Sequence, residues 1–382
     1  MREIIIWGTG VIGRSLYYKI LRGGIYKVKY FVDNSSINTF YNLEVYRPTK
    51  KNCSICLVVV ASSVYYEEIA IQLTEFGLQE LKDFIPYEAL GKEVVLIHGN
   101  CHVEIIKRYL NTSKSFSDKY WTYPVPLIQD NKKGYIKDHL LNNCDVFIYQ
   151  DIQEKNPFDK RLSANYLKNM VNGKKICIPN LYGLGKILFP QAEIGIHIKG
   201  DVWNNPKGTE IQGGLFNYRD KNIDNLWING ERNIREITKF LESEVYEADF
   251  IKQNFYEYIK KWEQREKLCD VKIVDYIKAE YRNIQLFWEP AHPCNILLKE
   301  ISARILKLLD IDKSELKEID FSFGVAEMPI YKCVINALQL NFEVESIRNT
   351  HPMKLAKLTE KEMDLEEYVR EYCYWCFNEW KI

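Results

Sequence analysis

The stretch VVLIHGNCHVEIIKRYL, Val94 to Leu110, changes its period in the middle. Val94-Val95-Leu96-Ile97 is a short, β-branched-rich run of the kind that forms a buried strand. Val103, Ile106 and Leu110 then recur at the three-to-four-residue interval of an amphipathic helix. Gly99, Asn100, Cys101 and His102 fall in the turn between the two. Cys101 is thereby placed at a helix N-terminus, where unpaired N–H groups and the positive end of the dipole favour a thiolate and can hold a developing oxyanion. The competing reading of Cys101 is a small residue packed beneath a turn.

A second corner of the same kind opens the chain. Residues 1 to about 90 read as strand Glu3–Trp7, glycine turn, helix Gly13–Leu21, strand Val28–Val32, strand Ile55–Val60 and helix Tyr65–Phe76. Strands alternating with helices imply a parallel sheet with right-handed crossovers. Gly8, Gly10 and Gly13 have the spacing that lets a backbone approach a pyrophosphate at a helix N-terminus. Asp33 follows at the end of the second strand, where a carboxylate can take ribose hydroxyls. The expectation is a Rossmann-like domain over residues 1–90, holding a nucleotide or nucleotide-sugar, or an unoccupied relative of that fold.

A short polar segment, Pro86 to Lys92, separates this unit from residues 94–382, expected to form a second, larger α/β domain. Strand-like runs recur there at Asp145–Tyr149, Lys175–Pro179 and Ile284–Trp288. A helical section follows at about Glu231–Lys261, with another helix at Ile296–Leu309. Gln191–Leu226 is rich in Gly, Asn and Asp and reads as loops.

The whole chain narrows the function classes. Its 382 residues carry 52 basic and 52 acidic side chains, a net charge of zero that gives no footprint for nucleic acid or an anionic membrane. The opening apolar run is too short for a signal peptide or a span, so a cytoplasmic protein without stable membrane insertion is expected. Ten cysteines are scattered, several inside apolar runs, which fits reduced thiols. The pairs Cys53/Cys56 and Cys373/Cys376 lie in an apolar strand approach and an aromatic helix, so no metal site is assigned.

Among six histidines, His292 stands out in Glu289-Pro290-Ala291-His292-Pro293-Cys294-Asn295, where two prolines stiffen a loop beyond a strand-like run. That is a place for a general base, or for a hydrogen-bonded structural histidine. His102, beside Cys101, competes for the base role; His98 reads as structural, and His139, His197 and His351 carry no supporting context.

Four segments in order carry a resemblance: the G-N-C corner, Cys144–Gln150, Ile176–Tyr182, and Arg282–Leu298 with its H-P-x-N core. Together with Met328–Tyr331 they look like the WcbI-type polysaccharide-biosynthesis acetyltransferase family, over about three quarters of the chain. The resemblance implies a coenzyme A-binding enzyme that acetylates a sugar hydroxyl of a polysaccharide precursor in capsule or surface-polysaccharide assembly. Departures are His102 after the cysteine and Ala291-His292-Pro293-Cys294 around the histidine. The N-terminal unit resembles the small Rossmann-like domains that precede sugar-modifying transferases.

On this reading His292 is the base and Cys101 the nucleophile or its close partner, with the amides of Asn100 and Cys101 as oxyanion donors and Gly99 allowing cofactor approach. Arg161, Lys174, Lys175, Arg232, Arg235 and Arg282 are candidates for the phosphates of acetyl-CoA. The order of nucleophile and histidine also resembles SGNH-type esterases, so a carbohydrate esterase stays open. So do an NAD-linked oxidoreductase using Asp33 and a non-catalytic nucleotide-sugar or CoA-binding protein. A homo-oligomer or a partner in an assembly complex is compatible with each.

Overall fold

A computed structural model describes residues 1–35, 37–128, 136–155, 159–193, 218–320, 327–344, 347–349, 361–373 and 377. The chain divides into two compact units, Met1–Val103 with Asn111–Ile176, and Glu104–Leu110 with Cys177–Ile382.

In the first unit, strand β1 (Arg2–Trp7) is central because Ile4, Ile5 and Ile6 are apolar toward both faces, and all three are fully buried. Ile4 and Ile6 join Leu16 and Ile20 of helix α1 (Val11–Gly23) on one face. Ile5 and Trp7 join Ile69 and Leu73, from the helix Tyr66–Glu75, on the other. Burial of such side chains stabilises by about 1.5–3 kcal/mol each. Helix α1 stops where Gly24 turns left-handed (φ 66°) and returns its N–H to the Ile20 carbonyl.

The remaining elements of this sheet are β2 (Tyr26–Val32), β3 (Thr39–Phe40), β4 (Leu43–Tyr46), a turn of helix α2 (Lys50–Cys53), β5 (Leu57–Val60), α3 (Tyr66–Glu75) and β6 (Phe84–Pro86). The spatial order is β3-β4-β2-β1-β5-β6, parallel except for the β3–β4 hairpin. The expected parallel sheet is therefore present. Its chain order reverses between β1 and β5, which leaves a crevice at their carboxyl ends.

A second sheet contains β7 (Glu93–His98), β8 (Tyr120–Tyr123), β9 (Val146–Gln150) and β10 (Lys174–Ile178), in the order β10-β9-β7-β8. Helices α4 (His102–Thr112), α5 (Lys114–Lys119), α6 (Asp138–Asn143) and α7 (Ala164–Met170) accompany it. The expected division at residues 90–94 lies between the sheets, yet both belong mostly to the first unit. The sheets share an anchor. Buried Glu80 accepts the Tyr66 hydroxyl at 2.7 Å on one carboxylate oxygen and the Tyr123 hydroxyl of β8 at 3.1 Å on the other, while Trp121 packs on the first sheet's core.

The second unit is largely helical. After the short strands β11 (Ala192–Glu193) and β12 (Arg219–Asp220) come α8 (Lys221–Ile228), α9 (Ile234–Glu242), α10 (Ala248–Arg265), α11 (Val274–Glu280), α12 (Asn295–Leu308), α13 (Lys332–Leu338), the pair β13 (Ile347–Asn349) and β14 (Lys361–Met363), and α14 (Leu365–Cys373). Fully buried Asp220 caps α8 through the N–H groups of Asn222 and Ile223 and accepts the Tyr331 hydroxyl.

The helical section expected at about 231–261 consists of α9 and α10, separated by Ser243–Glu247. One reading changes. Ile284–Trp288 is not a sheet strand: its one ladder contact among the described residues is the bridge from Phe287 to Pro293, because this segment folds back on itself around His292. Of the Gln191–Leu226 loops, residues 194–217 lie outside the described residues, as do His197, His351 and Cys376.

Candidate active site

In the first unit the G-N-C corner stands where β7 ends and α4 begins, and Gln150 at the end of β9 organises it. The Asn100 N–H donates to Gln150 Oε1 at 2.8 Å; in turn Asn100 Oδ1 accepts the His102 N–H at 3.0 Å, and its carbonyl accepts Val103 N–H at 3.1 Å. Asn100 thus caps α4 with its side chain. Its own amide is committed to Gln150 in this geometry, which removes it as the expected oxyanion donor. Gly99 is required by packing. A Cβ there would lie 2.4 Å from Gln150 Oε1 and 2.6 Å from Val103 Cγ1.

Because the oxygen of Gln150 accepts Asn100, its Nε2 faces the His102 ring, 3.5 Å from Nδ1. His102 is 1% exposed and belongs to the scaffold of the turn. His98 is also buried, and burial pushes it down to about 4, leaving it uncharged at neutral pH. Cys101 is half-buried. Among the nine described cysteines only Cys56 and Cys101 are not buried.

In the second unit His292 is held on a loop fixed at several points. Its carbonyl accepts Trp288 N–H at 3.0 Å, the Cys294 N–H reaches the Leu286 carbonyl at 2.8 Å, and the Trp288 carbonyl accepts Met328 N–H at 3.0 Å. Gly185 N–H donates to the Pro290 carbonyl at 3.0 Å, an approach that a side chain would block, since a Cβ on Gly185 would meet Glu289 O at 2.5 Å. His292 Nδ1 is hydrogen-bonded to Glu289 Oε1, with Glu289 fully buried and the histidine side chain 19% exposed. This is the arrangement in which a carboxylate fixes the tautomer of a general base and stabilises its charged form. Glu289 was not singled out from the sequence, although its place three residues before His292 was a readable signal.

The expected phosphate ligands are scattered. Arg161 Nη2 pairs with Asp159 at 2.7 Å, and Lys174 and Lys175 are exposed at the start of β10. Arg232 lies 4.2 Å over the Trp227 ring, Arg235 is exposed with Nε 3.9 Å from Glu366, and Arg282 Nε donates to the Tyr281 hydroxyl at 2.9 Å. A different basic group occurs in the second unit. Burial, with Lys221 and Lys261 nearby, holds the Lys186 amine below the usual lysine range. Lys221 lies over Tyr246 and Lys261 over Trp262.

With the two corners described, the comparisons acquire meaning. Residues 94–314 match the family described as "Polysaccharide biosynthesis enzyme WcbI", a span that contains Cys101, Gln150, Glu289 and His292. The chain belongs to the WcbI family. A solved WcbI structure resembles it with a TM-score of 0.58 at 16% identity, covering 74% of this chain and 90% of that one. That structure is described as a novel polysaccharide biosynthesis enzyme, in native form without a disulfide bond between coenzyme A and a cysteine. At this identity the likeness concerns the fold. No curated protein matches the chain. Among the described residues no helix is long and apolar enough to cross a membrane, and no group of three or more His, Cys, Asp or Glu side chains is placed to hold a metal ion.

Proposed function

We propose that this WcbI family member is an O-acetyltransferase that moves the acetyl group of acetyl-CoA to a sugar hydroxyl of a polysaccharide precursor. The carrying observation is the buried Glu289 carboxylate on His292 Nδ1. A buried carboxylate on Nδ1 orients the imidazole, as in a general base that activates a hydroxyl. The mention of coenzyme A in the description of the related structure supports the donor, and Cys101 is the half-buried one of the cysteines in the family segment.

In this reading the Cys101 sulfur attacks the thioester carbonyl, a new thioester forms on Cys101, and the CoA thiolate leaves. The sugar hydroxyl gives its proton to the base, the role assigned to His292, as its oxygen attacks the acetyl carbonyl, and the thiolate that carried the acetyl group departs. Lys186, Lys221 and Lys261 are assigned to the phosphates of CoA, since neighbouring ammonium groups, two of them half-buried (Lys186 and Lys221) and one exposed (Lys261), gain from an anion.

Intact-mass spectrometry after exposure to acetyl-CoA tests the scheme. The parent chain and His292→Ala should carry an acetyl adduct that Cys101→Ala lacks, with His292→Ala unable to pass it to a sugar acceptor. Full transfer by Cys101→Ala would remove the covalent step and leave direct attack assisted by His292.

A further inference from the structure

Met328–Tyr331 is one of the segments that carry the family resemblance, yet acetyl transfer as assigned to Cys101 and His292 gives it no role. In the second unit this buried segment runs between the histidine loop and the start of α8. The Met328 N–H reaches the Trp288 carbonyl at 3.0 Å, on the arm that leads to His292. At its other end the Tyr331 hydroxyl donates to Asp220 at 2.7 Å, next to Lys221.

Between these ends the Pro329 carbonyl accepts Nε2 of Gln191 at 2.8 Å. Gln191 has no exposed surface, and its own carbonyl accepts the Lys221 N–H at 3.2 Å. Its neighbour Ala192 pairs with Asp220 in the β11–β12 ladder, which sets the glutamine against the first residues of α8. One residue therefore holds Met328–Tyr331 by its side chain and α8 by its backbone. Lys186 has a tie of its own to the histidine loop, because the Gly185 N–H before it donates to the Pro290 carbonyl. Gln191 supplies the corresponding tie for Lys221.

Packing alone does not account for an amide at this position. A carbonyl only accepts, so the nitrogen of Gln191 must face Pro329, and Oε1 is left buried with no donor among the described residues. An orphan buried acceptor costs stability. A methionine would fill a similar length without that cost. What it would lack is a donor for the Pro329 carbonyl.

We infer that Gln191 is a positioning residue which, on the acetyl-transfer reading above, holds Lys221 and the histidine loop in one register through Pro329. Gln191→Met and Gln191→Glu test it in the full chain. The first removes the donor; the second restores one only while its carboxyl is protonated. Gln191→Met should bind CoA about tenfold more weakly in calorimetry, and its kcat for releasing CoA from acetyl-CoA, with methyl glucoside or methyl galactoside as acceptor, should fall about tenfold, the scale of one lost hydrogen bond. Backbone amides of residues 286–294 should exchange hydrogen faster than in the parent. Gln191→Glu should approach the parent's CoA affinity at acid pH and fall away from it as pH rises. A folded Gln191→Met with parental CoA affinity, parental exchange at 286–294 or, where the parent turns over, parental kcat would overturn the inference. Should Gln191→Met not fold, Gln191→Glu decides: a CoA affinity in constant ratio to the parent's at every pH overturns it. A parent that binds CoA but releases none from acetyl-CoA with either glycoside would instead overturn the acetyl-transfer reading, and CoA affinity and exchange would still judge Gln191.

Discussion

Glu289, with no exposed surface, holds Nδ1 of His292, a side chain that keeps about a fifth of its surface in solvent. The carboxylate is thus shielded from water and its partner is not, which separates orientation of the base from its chemistry. Glu289→Gln keeps the shape and removes the charge that stabilises the imidazolium. The expected outcome is a fall in kcat for acetyl transfer of about 100-fold or more, the scale of general-base catalysis, with the acetyl adduct on Cys101 still forming. A transfer assay paired with intact-mass measurement checks it, and parental kcat would show that Glu289 serves only the fold.

Gly99 and Gln150 are coupled by contact. Gly99→Ala pushes against Gln150 Oε1 and Val103, so it should destabilise by about 1–3 kcal/mol, as overpacking does. Gln150→Ala leaves the Asn100 N–H without this acceptor and should cost about 1–3 kcal/mol as well. Since the first substitution loses part of its clash once Gln150 is shortened, the double variant should be less destabilised than the sum. Chemical denaturation of the four proteins measures the difference; strict additivity would mean the turn relaxes without Gln150.

Lys186→Met keeps the length of the side chain and removes the charge. If the amine receives a CoA phosphate, the variant should bind CoA about 10–100-fold more weakly, as loss of a charged hydrogen bond implies. Calorimetry with CoA and with pantetheine discriminates the cause. Equal weakening for pantetheine, which lacks the nucleotide, would place the lysine elsewhere.

Two buried groups give stability opposite pH slopes. His98 is held at about 4, below the 6.5 of an exposed histidine, so the stability it contributes is present above 6.5 and is lost as pH falls toward 4. Asp220, raised by burial from 3.8 to about 7, contributes stability that is present below 3.8 and is lost as pH rises toward 7. His98→Gln should flatten the acid side of a stability-against-pH curve, and Asp220→Asn should flatten the slope between about 4 and 7. Denaturant midpoints across that range will show whether each slope disappears with its residue.

The sequence carried the first sheet because Ile4-Ile5-Ile6 and Val58-Val59-Val60 are continuous apolar runs bounded by turns. The β3–β4 hairpin escaped notice: two and four residues are too few to show a period. Cys101 and His292 stood out by local context, but Gln150 lies fifty residues from Asn100, and nothing local distinguishes a glutamine that ends a strand from one that organises a turn. The lysine group was hidden for the same reason, its members coming from three separate segments. Ile284–Trp288 has strand composition but becomes one arm of the histidine loop, a choice made by hydrogen bonds to Met328 and within the loop.

The carboxylate shared by Tyr66 and Tyr123 bears on how this protein can be cut and recombined. The first ninety residues look like a detachable cassette, but Glu80 accepts one hydroxyl from helix α3 and another from β8 of the second sheet, and Trp121 of the second sheet rests on the first. Excision before β7 would strip Tyr123 of its acceptor and bare an indole to solvent. Exchange for another α/β module would succeed only where the incoming piece supplied both a buried acid and an apolar seat at matching positions. The two sheets therefore share a seam that the chain's outward punctuation conceals.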